Sequence, residues 1–283
     1  MSGTSLDATD AALILTDGVQ VLEFGAVAER KYSTVERQIL QDATDAARAW
    51  NWTGPAPDDV FEAARRVVTH THAEAWEMLQ EGGGKGVVAT LAGVHGQTVL
   101  HRRSKPGHPG ATLQLIDPLG LQTALGVPLA YDFRTADVAA GGQGAPLAPV
   151  YHGALLERAG DGASAVLNLG GVANITARMA DGTLFAFDTG PANGPIDEWV
   201  EGYGKGTHDV GGAFAAAGRV HEGLLVQLLD HDWFAELPPK SLDRYDFNAS
   251  MARGLSFEDG AATLTAFSAR AVAAGVAQLP DTP

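Results

Sequence analysis

The sequence predicts an α/β fold built twice, as two domains that each open with antiparallel strands and close with helices. Three observations point there. Strand candidates fall into two blocks, and helical periodicity follows each block. A glycine-bearing loop stands at the head of each block, Met1 to Asp10 in the first and Asn168 to Asn174 in the second. At 283 residues the chain is long for one core and suits two. The division is expected near residue 134, giving domains 1–134 and 135–283.

In order along the chain, Ala11 to Leu15 reads as a strand, and Asp17-Gly18 turns it into a second, Val19 to Ala28. Ser33 with Glu36 forms a capping box that opens a helix to Trp50. A long helix from Asp58 to Glu81 carries Val60, Ala64, Val67 and Val68 on one face, and Gly82 to Gly84 end it. Val87 to Leu91 reads as a buried strand, Ala111 to Ile116 and Val127 to Tyr131 as two more with a short helix between them. Pro146 and Pro149 lead into a helix to Arg158. The second block has strands at Ala165 to Leu169, Ile175 to Met179 and Thr183 to Phe187, with Asp181-Gly182 as a turn. Helices are expected over Pro195 to Glu201, Ala213 to Leu229 and Thr263 to Leu279.

Composition narrows the function. The formal net charge of -15 repels phosphate backbones and anionic lipid heads, which argues against nucleic-acid or membrane-surface binding. With no cysteine, disulfides, thiolate catalysis and cysteine-ligated zinc are excluded. No stretch approaches the roughly 20 apolar residues of a membrane span, and no secretory signal is visible, so a cytoplasmic location is expected.

Five constellations could carry chemistry. Gly3, Thr4 and Ser5 are small enough to let backbone N–H groups approach an anion, and Asp7 and Asp10 could hold a hydrated metal beside it. An ordinary turn has the same composition. Gly170 and Gly171, in a tight turn between strands, could present N–H groups to a second phosphate or form a simple β-turn. Asp188, in Phe187-Asp188-Thr189-Gly190-Pro191, ends an apolar strand, where a carboxylate suits a general base or merely caps a turn. Asp132 has the same grammar, and with Arg134 and Asp137 it could position a sugar or form a surface ion-pair patch. His95, Gln97 and Thr98 offer donors and acceptors suited to sugar hydroxyls. Spacing does not assign base and orienting carboxylate between Asp132 and Asp188, and a carboxylate-pair glycoside hydrolase is one reading of the two. His70 and His72, two apart on a helix, do not share a face and are expected in solvent. The glycine runs around Lys85 and Lys205 match no phosphate-binding P-loop, and no dinucleotide fingerprint is present.

Taken together, MSGTSLDATD, HGQT, DFRTADVAAGGQGAPLAP, LNLGGVANIT, FDTGPAN, KSLDRYDF and TLTAF resemble the anhydro-N-acetylmuramic acid kinase family, in consistent order from Met1 to about residue 280. The resemblance implies the actin-like ATPase fold, two ribonuclease H-like domains with ATP between them. It implies an enzyme of peptidoglycan recycling that opens the 1,6-anhydro ring of an amino sugar with water and phosphorylates the freed 6-hydroxyl. ATP and Mg2+ are the implied cofactors, the anhydro amino sugar is the small-molecule partner, and a homodimer is compatible. The implied ATP loop is Gly3, Thr4, Ser5, Leu6, Asp7, Ala8, Thr9 and Asp10, joined by Gly170, Gly171 and Asn174. The implied base is Asp188, and the implied sugar contacts are His95, Gln97, Thr98, Asp132, Arg134 and Asp137.

Three departures from the family pattern set further expectations. Ala8 stands where the family has Gly, and a positive φ there would cost on the order of 1–2 kcal/mol. The family's short strand before the Met-Ser-Gly-Thr run and its C-terminal adenosine and substrate segments are missing, so a fragment or a shortened product is expected. Such a chain is expected to be poorly stable or inactive. A nucleotide- or sugar-binding remnant without catalysis is the alternative reading.

Overall fold

The computed structural model describes residues 2–3, 6–84, 86–102, 104, 107–160, 162–242 and 246–280. It is a mixed α/β protein with small sheets, and it divides into two compact units, Met1–Ala145 and Pro146–Pro283.

In the first unit, β1 (Ala8–Thr16) pairs antiparallel with β2 (Val21–Lys31). The turn between them closes on Asp17, whose Oδ1 accepts from the N–H groups of Val19 (2.9 Å) and Gln20 (2.7 Å), while Gly18 supplies φ 93°. The helix α1 (Thr34–Trp50) begins with the expected capping box. Glu36 there also receives the Arg30 guanidinium, which holds its carboxyl down at about 2. On α2 (Asp58–Leu79), Phe61, Ala64 and Val68 face inward and pack with Leu40, Val99 and Leu115.

Past α2 the expected strand Val87–Leu91 does not form. Val88 is 84% exposed, and only β3 (Ala92–Gly93) is paired, parallel to β6 (Leu129–Ala130). A short apolar run has no periodicity that names its partner, and the ladder here extends over two residues. Between them lie β4 (Gln97–Arg102), antiparallel to β5 (Ala111–Leu115), and α3 (Pro118–Leu125); α4 (Thr135–Ala139) follows β6.

The second unit starts with α5 (Pro149–Ala159) and a three-stranded antiparallel sheet, β7 (Ser164–Leu169), β8 (Val172–Arg178) and β9 (Leu184–Pro191). Among the described residues, helical segments complete it: α6 (Asn193–Gly202), α7 (Ala213–Ala217), α8 (Glu222–Leu229), α9 (Asp232–Ala235), short 3-10 turns at Val210–Gly212 and Ala249–Ala252, and α10 (Phe257–Val276). The single helix expected over Ala213 to Leu229 is broken at Gly218. A Cβ there would lie 1.9 Å from the Glu258 carbonyl oxygen, so the chain passes too close to α10 to stay helical. The N–H groups after the break go to α10 instead, Arg219 to Asp259 (2.7 Å) and His221 to Thr263 (3.0 Å). α10 packs closely twice more, with Gly260 under the Trp199 indole and Gly275 against Thr189.

Candidate functional site

The first loop is shaped differently from its expected strain. Leu6 takes the left-handed conformation, φ 54°, and its N–H reaches the Gly3 carbonyl at 3.4 Å. Ala8 lies in β1 opposite Lys31, outside the positive-φ residues, so its methyl group costs nothing there. The Asp7 carboxylate accepts from the Ala8 N–H at 3.0 Å. Thr9 turns inward, its hydroxyl between Tyr32 Oη (3.0 Å) and Thr71 Oγ1 (3.1 Å). Asp10 points outward, yet partial desolvation raises its carboxyl above the usual range, and Glu29 and Asp7 add like charge. Thr4 and Ser5 lie outside the described residues.

The second loop, between β7 and β8, is a tight turn in which Gly170 spends its N–H on the Val172 carbonyl (3.2 Å). Its carbonyls face the start of α6. Gly170 accepts from the Asn193 N–H (2.8 Å), and Gly171 from those of Ala192 (3.1 Å) and Gly194 (3.2 Å). A Cβ on Gly194 would meet the Gly171 oxygen at 2.9 Å, so the glycine at 194 lets two backbones touch.

In the first unit the structure gathers His95, Arg134 and Asp137. Gly96 leaves β3 with φ 74° and no room for a Cβ, 3.0 Å from the Leu115 carbonyl. His95 Nδ1 then donates to the Gly96 carbonyl (2.9 Å), which leaves Nε2 as an acceptor for Arg134 Nε at 2.7 Å. Burial, then the Arg134 charge, hold the His95 imidazole neutral by lowering its pKa. Arg134 also donates to the Gly144 carbonyl (2.5 Å), and the Gly144 N–H donates to Asp137 Oδ2 (2.7 Å). Gly144 was visible in the sequence only as part of a glycine run; its φ of 66° and both backbone bonds make it the hinge of this network. Asp132 sits at φ 56° and accepts from the Thr135 hydroxyl (2.5 Å) at the start of α4. Gln97 is buried, with its Nε2 on the Thr98 carbonyl (3.3 Å) and its Oε1 unpartnered among the described residues. The Thr98 hydroxyl receives Gln114 Nε2 at 3.3 Å.

The two helix histidines divide. His70 is exposed, as expected, but His72 is buried. Its Nδ1 bonds the Val68 carbonyl (2.7 Å), and burial pushes its pKa down to about 4. The spacing argument separates their faces and says nothing of which one meets the core.

Asp188 lies inside β9, which runs three residues beyond it rather than ending there. It is 7% exposed. Its Cα partner on β8 is Asn174, whose partner on β7 is Asn168, so three polar side chains line up across one face of the sheet. A bulge at Thr189 follows, because Ala173 pairs with Gly190 while Asn174 pairs with Asp188. On its other side Asp188 meets a segment from far along the chain. Its N–H donates to the Lys240 carbonyl (2.9 Å), and its Oδ2 accepts from the Leu242 N–H (2.7 Å). Sequence reading treated KSLDRYDF only as a resemblance motif; Asp243, Arg244 and Tyr245 of it lie outside the described residues.

Among the described residues no group of three or more His, Asp or Glu could hold a metal by itself. Asp7 and Asp10 beside the first loop fit a magnesium ion carried in by nucleotide phosphates, which keeps most of its ligands from phosphate and water. Among the same residues, no helix is long and apolar enough to cross a membrane.

A family model for anhydro-N-acetylmuramic acid kinase matches residues 1–282. Anhydro-N-acetylmuramic acid kinase of Rhizobium rhizogenes is 49% identical over all of this chain and 77% of its own length. The protein of that name from Caulobacter vibrioides is 50% identical over all of this chain and 76% of its own, and that from Phenylobacterium zucineum 47% over all of this chain and 77%.

Proposed function

The chain belongs to the anhydro-N-acetylmuramic acid kinase family, and from that premise we propose how its residues perform the reaction. The substrate is 1,6-anhydro-N-acetylmuramic acid and the product N-acetylmuramic acid 6-phosphate, a step of cell-wall recycling carried out in the cytoplasm. The proposed architecture is the actin-like one, with domains that follow the two compact units, Met1–Ala145 and Pro146–Pro283, rather than a division at residue 134. Asp188 takes a proton from the water that adds to the anomeric carbon. The bond from that carbon to the bridging oxygen breaks, and the same oxygen, now the 6-oxygen, attacks the γ-phosphorus of ATP as ADP leaves.

The observation that carries this reading is the setting of Asp188. A buried carboxylate that accepts from the Leu242 N–H and is aligned with Asn174 beside the Gly170–Gly171 turn suits a base next to a phosphate. Gly3 to Asp10, with Gly171 and Asn174, would receive the phosphates; the Gly170 N–H is already spent on the Val172 carbonyl. Mg2+ bound with the nucleotide, near Asp7 and Asp10, would spread the charge on the phosphoryl oxygens. His95, Gln97, Thr98, Asp132, Arg134 and Asp137 would hold the sugar, with Arg134 the one fixed cation of the set. The strain at Ala8 that would favour a binding-only remnant is absent.

Incubating enzyme and anhydro sugar with and without ATP-magnesium tests the coupling. The expected result is one phosphorylated, ring-opened product with nucleotide and unchanged sugar without it. Ring opening with nucleotide omitted would replace the kinase reading with a hydrolase using Asp132 and Asp188.

A further inference from the structure

Asp188 is fixed by a strap, and the strap has its own anchor. Residues 240–242 meet β9 at Asp188 through backbone groups, one bond on each side of Ser241. Backbone bonds at a single strand residue leave much of a loop's conformational entropy to be offset elsewhere. α9 supplies a second attachment. Lys240 is 4% exposed, and its Nζ donates to the carbonyls of Trp233 (3.3 Å) and Phe234 (3.4 Å), two of the acceptors that a helix end leaves over. The same ammonium stands 4.3 Å from the centre of the Trp233 ring, a cation over an aromatic face inside the protein. Trp233 returns the contact, its Nε1 donating to the Ser241 carbonyl at 3.1 Å.

α9 is in turn tied to the strand that bears Asp188. Phe234 packs edge-on against Phe267 of α10, and its ring occupies the space a Cβ on Gly190 would need, 3.2 Å away. Strand, helix and strap therefore form a closed loop of contacts around one carboxylate.

We propose that Lys240 is a positioning residue for Asp188: its ammonium fastens residues 240–242 to α9, and the backbone of that segment aims the carboxylate. This rests on the reading of Asp188 as the base. Lys240 touches neither sugar nor nucleotide in this role. It keeps Oδ2 on the Leu242 N–H, so that the carboxylate meets the attacking water in one orientation. A misplacement of about 1 Å is enough to lose on the order of tenfold to a hundredfold in rate.

The test compares Lys240→Met, which keeps an unbranched apolar stem one atom shorter and removes the charge, with Asp188→Asn in the full-length enzyme. Thermal unfolding reports folding, steady-state kinetics separate kcat from KM, and the Leu242 amide proton resonance reports the bond to Asp188. Folded Lys240→Met is expected to lose about tenfold in kcat with KM for ATP and sugar nearly unchanged. Its Leu242 amide proton is expected to shift upfield, in the direction seen with Asp188→Asn. Wild-type kcat, or a loss of kcat with that resonance unmoved, overturns the role of Lys240. If Lys240→Met does not fold, Trp233→Phe decides, since it keeps a ring beneath the ammonium and removes only the bond to Ser241. There a loss of about threefold in kcat with the same upfield shift supports the strap, and wild-type values for both overturn it. An Asp188→Asn enzyme with wild-type turnover would remove the base assignment itself, whereas an inactive one beside a normal Lys240→Met removes only the anchor.

Discussion

The His95–Arg134 network and the Asp188 setting solve the problem of holding a charged group by opposite means. Arg134 is gripped by side chain and backbone within about 50 residues of chain: a neutral imidazole at 2.7 Å and the Gly144 carbonyl at 2.5 Å. Asp188 is gripped by backbone groups of a segment 54 residues away, itself tied down by a buried lysine. The first arrangement depends on a protonation state, because Arg134 keeps its acceptor only while His95 Nε2 is unprotonated. The second depends on packing. Acid should therefore disturb one, and added volume the other.

Asp188→Asn gives the largest expected effect. It should lower kcat by about 10²–10⁴-fold while leaving nucleotide affinity nearly unchanged, read by turnover and by titration with ATP. A comparable fall in ATP affinity would mean that Asp188 binds nucleotide rather than serving as the base.

Next in size is the cost of acid to the first unit. His72 is neutral when folded, with a pKa of about 4 against 6.5 when unfolded. Above pH 6.5 neither state carries the proton, and its contribution is complete. As pH falls from 6.5 to 4 the unfolded chain takes up a proton that the folded chain refuses, and stability drops by roughly 3 kcal/mol. Urea unfolding at pH 7, 5.5 and 4 measures the slope, and His72→Gln should flatten it. An unchanged slope in that variant would assign the acid sensitivity to other groups, among them His95, whose pKa is also lowered by burial.

Two glycines sharpen the contrast in packing. A Cβ on Gly190, at φ 148°, would lie 2.7 Å from the Ala271 Cβ, where neither backbone can yield. Gly190→Ala should cost about 2–3 kcal/mol of stability. At Gly144, φ 66°, the nearest obstacle is the Val138 Cγ2 at 2.5 Å, which clears only if the Val138 side chain turns about χ1, and Gly144→Ala should cost about 1–2 kcal/mol. Equal losses in the urea midpoint would erase the distinction. Smallest of all, His95→Ala should raise KM for the sugar by about tenfold with little change in kcat, because Arg134 loses its bond to the imidazole.

Local chemistry was legible in the sequence and distant pairing was not. The helix at Thr34–Trp50 was readable because Ser33 and Glu36 close its capping box within four residues. The turn at Asp17-Gly18 was readable for the same reason. Asp188 was visible as a carboxylate on an apolar strand, but its partners Lys240 and Leu242 carry no spacing that would name them. The helix expected through Gly218 failed because the deciding contact is the Glu258 backbone, 40 residues on. Ala8 was judged by what its loop might demand of φ, and that demand fell on Leu6 instead.

The bulge at Thr189 has a bearing on what kinds of mutation this strand can survive. A regular strand shows alternate residues to alternate faces; Phe187 to Pro191 are all buried, so both faces of this stretch are covered, and one surplus residue interrupts its pairing midway. Replacing Thr189 leaves that count intact. Removing it would erase the bulge and set Gly190 directly after Asp188 opposite Ala173, changing the local twist and bend with which the strand presents Asp188. The region around Asp188 should thus tolerate exchanges of side chain far better than the loss or gain of a single codon.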